Sequence, residues 1–309
     1  MRAISQDGPG GPEVLHLVDV DRPEPIPTEV LVRVHATSVN PVDWKTRSGS
    51  GMFSRFADGG PMILGWDVSG VVEEVGPGVN RFEVGDEVYG FPRFPHPGRT
   101  YAEYVTAPSR HFARKPANLD HHHAAAVPLV ALTAWQALVE TADLRPGQRV
   151  LIHAAAGGVG HVAVQIAKAR GAYVIGTATS GKHDFLRDLG ADELIDYKNT
   201  DFATAVRDVD VVLDLVGGDY TERSIPTLRP GGFLITIPGG ATDHSARVRQ
   251  TWVLVEPDYH GLDQITELIE RGALRVEVAT VLPLAEAARA HEMGEAGRTR
   301  GKIVLDTTL

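Results

Sequence analysis

The sequence predicts an α/β protein: a β-rich part accompanied by a doubly wound parallel sheet. Three observations lead there. Up to about residue 116 the chain carries short apolar runs cut by Gly and Pro. From there to about residue 272, strand-like apolar runs alternate with helical segments. A glycine-rich turn, AAAGGVG at 154–160, joins the first of those strands to the first helix. Alternation of this kind builds parallel sheets, because each helical crossover returns the chain to begin the next strand in the same direction.

The elements follow in order. In the first part the strands are 30–34 (VLVRV), 68–75 (VSGVVEEV) and 87–89. In the second, 149–154 (RVLIHA) is a strand and 159–170 its helix; 173–178 (YVIGTA) is the next strand, with a helix at 183–189. Further strands are expected at 193–196, 209–214 (VDVVLD), 232–237 and 252–255, each bounded by Gly, Pro or Asp. After residue 272, ALRVEVATVLPL and GKIVLD flank a helix at 284–292, a tail of the kind that completes the first domain. The expected domains are therefore 1–118 with 272–309, and 119–271.

Composition narrows the function. The chain has 309 residues, 43% hydrophobic and 23% charged, which is a globular balance with enough apolar mass for one or two cores. It has no cysteine, which removes disulfides, thiol nucleophiles and cysteine-bound zinc together. A net charge of -10 argues against nucleic acid or an anionic membrane as partner. The start, MRAISQDGPGGPEVL, has no apolar signal core, so a cytoplasmic location is expected.

The glycine turn carries the first functional expectation. Placed between an apolar strand and an amphipathic helix, it lets a pyrophosphate sit on the helix N-terminus. Gly157 allows close backbone approach, Gly160 lets the helix pack on the sheet, and Ala155 stands where the common G-x-G-x-x-G pattern has its first glycine. A ribose 2′-hydroxyl would call for an acid at the end of the second strand. The chain has Thr177, Ala178, Thr179, Ser180, Gly181 and Lys182 there instead. A hydroxyl-bearing loop that ends in lysine suits a 2′-phosphate, with Lys182 as point charge and Ser180 as donor, and so NADPH as cofactor.

Several ordered motifs carry a resemblance: NPVDWKTRSG (40–49), PMILGWDVSGVV (61–72), GVNRFEVGDEVYG (78–90), LTAWQAL (132–138), the glycine turn, and the closing RGKIVL (300–305). Over nearly its whole length the chain resembles the medium-chain dehydrogenase/reductase superfamily, in its zinc-free quinone oxidoreductase branch, which includes zeta-crystallin-like and enone oxidoreductase-like proteins. The resemblance implies a GroES-like substrate domain built from both chain ends, a Rossmann domain between them and an active-site cleft at their junction. It implies a cofactor set of Thr133, Ala156, Gly157, Gly158, Val159, Thr179, Ser180, Lys182, Tyr197, Val216 and Ile237, with Tyr197 approaching the 2′-phosphate. Zinc-dependent members carry a catalytic Cys shortly after the position of Asn40 and a Gly-His-Glu motif. Here that motif reads Gly65-Trp66-Asp67, and a short loop, FPRFPHPGRT, stands in place of the structural-zinc lobe. No metal is expected. His121, His122 and His123 are consecutive, and consecutive side chains diverge too much to share one ion; they read as a solvated connection. His153 reads as packed rather than as a general base.

Without a metal, conjugate reduction fits best. Hydride adds to a quinone or to the β-carbon of an enone, and negative charge builds on a distant carbonyl oxygen. The catalytic candidates are Asn40, a neutral donor near nicotinamide, ribose or carbonyl, and Lys45, a cation that stabilises the enolate or protonates it; the alternative for Lys45 is a surface residue or an ion pair with Asp43. Asp43 reads as structural, Trp44 and Trp66 as core or cleft wall. The substrate expected is a small conjugated carbonyl compound. Two other readings stand beside it: an enoyl-thioester reductase of polyketide or fatty-acid metabolism, and a non-catalytic NADPH-binding structural or sensor protein. Specificity would lie in 52–56, 91–99 and 240–255. A homodimer paired through the edge strand 252–255 is expected, as in relatives.

Overall fold

The computed structural model describes residues 1–56, 60–239, 248–297 and 299–309. The first strands are β1 (Arg2–Gln6), β2 (His16–Asp19), β3 (Glu29–Val39), β4 (Met62–Ile63), β5 (Val68–Val75), β6 (Glu87–Gly90), β7 (Tyr104–Pro108) and β8 (Phe112–Arg114). They are followed by β9 (Arg149–Ile152), β10 (Tyr173–Ala178), β11 (Glu193–Asp196), β12 (Val209–Asp214), β13 (Leu228–Thr236) and β14 (Arg249–Trp252). Two more, β15 (Val278–Pro283) and β16 (Lys302–Asp306), come last. No described helix is long and apolar enough to cross a membrane.

The chain forms two compact units. The first comprises Met1–Leu129, Glu256–Arg271 and Val276–Leu309. Its main sheet runs β15-β16-β3-β5-β6-β8, with β7 also paired to β3, and a smaller sheet runs β2-β1-β4. Alternation along β3 explains the interior: Val30, Val32 and Val34 join Val68, Val72, Val88, Val105 and Phe112 in one core. The closing strand β16 pairs with β3 antiparallel, Leu305 opposite Thr37, so the far end of the chain completes the sheet begun near its start.

The second unit, Val130–Val255 with Gly272–Arg275, holds a six-stranded sheet in the order β11-β10-β9-β12-β13-β14. Every pairing in it is parallel. Counted from β9, this is the 3-2-1-4-5-6 order of the dinucleotide-binding fold. Leu151, Ile175, Val212 and Leu234 fill its core, and the helix Gly158–Ala169 buries Val162, Ala163 and Ile166.

Two boundaries differ from the sequence reading. The units part at Leu129 and Val255 rather than at 118 and 271. The helix Tyr259–Glu270 accounts for the second shift: Tyr89 Oη donates to Leu262 O (2.8 Å) and Asn118 Nδ2 to Ile269 O (3.1 Å), both within the first unit. Texture alone assigns this amphipathic helix to the α/β part, since its partner is distant in sequence. The edge strand is Arg249–Trp252, starting three residues before the expected 252–255.

Candidate functional site

Because all six strands of the second unit point one way, their carboxyl ends share one edge, and most of the expected cofactor residues gather there. Ala156, Gly157, Gly158 and Val159 follow β9; Thr179, Ser180 and Lys182 follow β10; Tyr197 follows β11; Val216 follows β12; Ile237 follows β13. Thr133 is different. It lies on the helix Pro128–Trp135 and is 2% exposed. The neighbouring strands β9 and β12 mark the point where the strand order reverses, the place where this fold takes ligands.

The turn itself is built for close approach. Gly157 is exposed and caps the helix Gly158–Ala169, whose first amides have no intrahelical acceptor. At Gly160 a methyl group would fall on the carbonyl oxygen of Ala154 and on the backbone of Ala155, so only glycine fits. Ala155 is tolerated in the first glycine's place for a reason that lies on the next strand. A methyl group on Gly176 of β10 would stand 2.9 Å from Ala155 Cβ; glycine there leaves the room that Ala155 takes. This exposed turn and the free first-turn amides suit a pyrophosphate, and so the residues present fit a dinucleotide.

At the far end of that edge, Ser180 and Gly181 are exposed and Lys182 is half-buried in a short 3-10 turn. Lys182 N donates to Thr179 O (2.9 Å). The segment itself holds no acid, yet the sheet brings one from next door. Asp196, last residue of β11, is paired in register with Ala178. Its carboxylate accepts from Lys198 N (3.1 Å) and Asn199 Nδ2 (2.7 Å). These donors, with the Ser180 hydroxyl, hold its carboxyl below the usual range. Tyr197 beside it is 44% exposed.

In the first unit, Asn40 belongs to a buried polar cluster. It is 1% exposed and caps the helix Pro41–Arg47. Its Nδ2 donates to Asp67 Oδ2 (2.7 Å) and Ser38 O (3.4 Å), and its Oδ1 accepts from Lys302 Nζ. The amide orientation follows from its partners, since an ammonium only donates and a carboxylate only accepts. Asp67 also accepts from Ser38 Oγ (2.5 Å) and Leu129 N (2.7 Å). Asn40, expected as a neutral donor near nicotinamide, ribose or carbonyl, has its amide engaged inside its own unit. Lys302 and Asp67 were missed as its partners. A lysine within the apolar run KIVLD was the available signal, because a lysine in a buried strand must be paired. Burial pushes the Lys302 ammonium pKa down, while Asp67 and Asp43 oppose that shift.

Asp43 is structural, as read: its Oδ2 accepts from Asn40 N (2.7 Å). It is fully buried, and burial, reinforced by Asp67, pushes its carboxyl up to about 7. With Asp43 turned inward, the ion pair proposed for Lys45 does not form. Lys45 stands exposed at the end of the same helix, without a hydrogen bond or ion pair from its ammonium among the described residues. Trp66 is core, and half-buried Trp44 packs on a second core with Leu284 and Ala290.

The histidine run forms a helix, His121–Ala125, capped by Asp120, rather than a solvated connection. Its three side chains diverge to different acids: His121 Nε2 to Glu87 (3.1 Å), His122 Nε2 to Asp306 (2.6 Å) and His123 Nδ1 to Asp120 (2.8 Å). His153 is packed and hydrogen-bonded, between Thr177 Oγ1 (3.2 Å) and Ser224 Oγ (2.8 Å). Burial pushes its imidazole down to about 4.

Of the specificity segments, 240–247 lie outside the described residues. In the first unit Arg55, Arg93, His96 and Arg99 line a cavity of about 1070 Å³ together with Asp19 and Tyr104. Neither Asn40 nor Lys45 lines it, so it is separate from the catalytic candidates.

Comparison with known proteins agrees with this architecture. Residues 26–117 match the alcohol dehydrogenase GroES-like domain, and residues 189–305 match the family described as zinc-binding dehydrogenase. The quinone oxidoreductase of Pseudomonas aeruginosa is 38% identical over 96% of each chain. The structure of the quinone oxidoreductase from Coxiella burnetii superposes with a TM-score of 0.92, at 40% identity over 99% of both chains. That of the Escherichia coli quinone oxidoreductase complexed with NADPH gives 0.88, at 30% identity over 99% of this chain and 100% of the other. With a GroES-like unit, a dinucleotide-binding sheet and relatives that align from end to end, the chain belongs to the zinc-free quinone oxidoreductase branch of the medium-chain dehydrogenase/reductase superfamily, a family of NAD(P)H oxidoreductases.

Proposed function

We propose that the protein is an NADPH-dependent reductase of quinones or α,β-unsaturated carbonyl compounds that works without a metal ion. The observation that carries this reading is the gathering of the glycine turn and the Thr179–Lys182 segment on one sheet edge, with a lysine and no acid in that segment itself. The E. coli relative with NADPH supports the cofactor. NADPH, when bound, supplies the hydride.

The chain's own residues do the rest. The amides at the start of Gly158–Ala169 receive the pyrophosphate, and their dipole favours its charge. Ser180, Lys182 and Tyr197 face the 2′-phosphate. Lys45 offers its ammonium to the oxygen on which charge builds. Asp67 and Lys302 keep Asn40, and with it the start of the Lys45 helix, in one position. Absence of cysteine and the engagement of Asp67 with Ser38, Asn40 and Leu129 support the metal-free part of the reading.

The test is a pair of dissociation constants, for NADPH and NADH, in wild type and Lys182→Ala, followed by turnover of a simple quinone and a simple enone in chelator. Wild type should prefer NADPH. Lys182→Ala should lose about 1.5 to 3 kcal/mol of NADPH affinity, roughly one to two decades, while NADH changes little. Equal losses for both cofactors, or turnover abolished by chelator, would refute it.

A further inference from the structure

We propose that Asp196 is a specificity-determining residue, a carboxylate supplied by the third strand that limits the preference for NADPH over NADH. The inference rests on the cofactor reading above, in which Ser180 and Lys182 face the 2′-phosphate, and adds a residue that opposes them.

The register carries it. Ala178 and Asp196 are the last pair of β10 and β11, and Thr179 begins the segment that ends at Lys182. Neighbouring strands lie about 4.8 Å apart, so the carboxylate stands beside the loop meant for the phosphate. Its two fixed donors, Lys198 N and Asn199 Nδ2, come from the side of the chain that follows β11, and Ser180 contributes from across the sheet. Each carboxylate oxygen can accept more than one hydrogen bond. A ribose 2′-hydroxyl can therefore donate to Asp196 much as it would to an acid on the second strand. A 2′-phosphate at neutral pH has little to donate, carries close to two negative charges, and competes for the same Ser180 hydroxyl. Lys182 attracts that phosphate and Asp196 repels it. The preference for NADPH is set by the difference between the two.

The adenosine end can be tested alone, with 2′,5′-ADP and 5′-AMP as probes in titration calorimetry of the full chain, without turnover. Asp196→Asn should bind 2′,5′-ADP about tenfold more tightly, equivalent to about 1.4 kcal/mol, and 5′-AMP no more tightly than wild type. Asp196→Ser should shift in the same direction, which separates loss of charge from a rearranged loop. If Lys182→Ala weakens 2′,5′-ADP while neither Asp196 variant tightens it, the inference falls and the cofactor reading stands. If wild type fails to distinguish the two probes and Lys182→Ala changes neither, the cofactor reading itself falls.

Discussion

Lys45 and Arg47 lie two residues apart on one short helix, and their charges have opposite fates. Arg47 is 2% exposed and its guanidinium is bound to Glu295 (2.8 Å), whereas Lys45 is exposed and its ammonium is uncommitted. A charge held in a buried pair cannot respond to a reacting oxygen without breaking that pair; an uncommitted one can. Lys45→Ala should therefore lower kcat with a quinone or enone on the order of 10²-fold while the NADPH dissociation constant changes little, and Lys45→Arg should recover part of the loss. Steady-state kinetics beside cofactor titration decides it: unchanged kcat removes Lys45 from the reaction. Asn40 shows the converse. Its place after β3 made it a donor on paper, but every polar atom of its side chain is spent on Asp67, Ser38 and Lys302.

At the level of elements, the strand–turn–helix at 149–169 depends on four small residues that fit in pairs: Gly160 under Ala154, and Gly176 of the next strand under Ala155. Gly160→Ala should force the turn away from the helix at a cost of about 1 to 3 kcal/mol, with weaker binding of either nicotinamide cofactor. A thermal midpoint several degrees lower, together with a larger dissociation constant, is the expected pair of results; unaltered values in both would show that the turn has slack. This region was the most legible in the sequence. The strands Tyr173–Ala178 and Val209–Asp214 stand where their apolar runs predict, because a strand buried on both faces leaves a nearly continuous hydrophobic run between sharp breaks; the edge strand Glu193–Asp196, with only Ile195 buried, also stands where expected. Local pattern fails where a partner is remote. The segment 259–270 falls inside the expected α/β domain with no helix assigned to it, yet as the helix Tyr259–Glu270 it is bound by Tyr89 and Asn118 of the first unit, and Asp196 becomes relevant to Ser180 only through sheet pairing.

Over the whole molecule, the buried carboxyl of Asp43 couples stability to pH. Its folded pKa is pushed up to about 7 from an ordinary 3.8, so the native state holds this proton more tightly than the unfolded chain does. Its contribution is fully present below about pH 4 and is lost as pH rises through about 7. Urea unfolding at pH 4.5 and at pH 7.5 should show a smaller fall with pH in Asp43→Asn than in wild type; an equal or steeper fall would mean that Lys302 keeps Asp43 ionised throughout. The three-segment build of the first unit has a consequence for biosynthesis. The second unit is nearly contiguous in sequence, but in the first, β7 pairs only with Glu29 to Arg33 of β3, and the stretch from Ala36 to Val39 must wait for β16, more than 250 residues later, for its partner. At a synthesis rate of about 5 to 20 residues per second, the nascent chain therefore carries this unpaired strand end for on the order of ten seconds or more. During that interval the amino-terminal part of this protein is the last to finish folding, and the ribosome-bound chain is the state in which chaperones have most to protect.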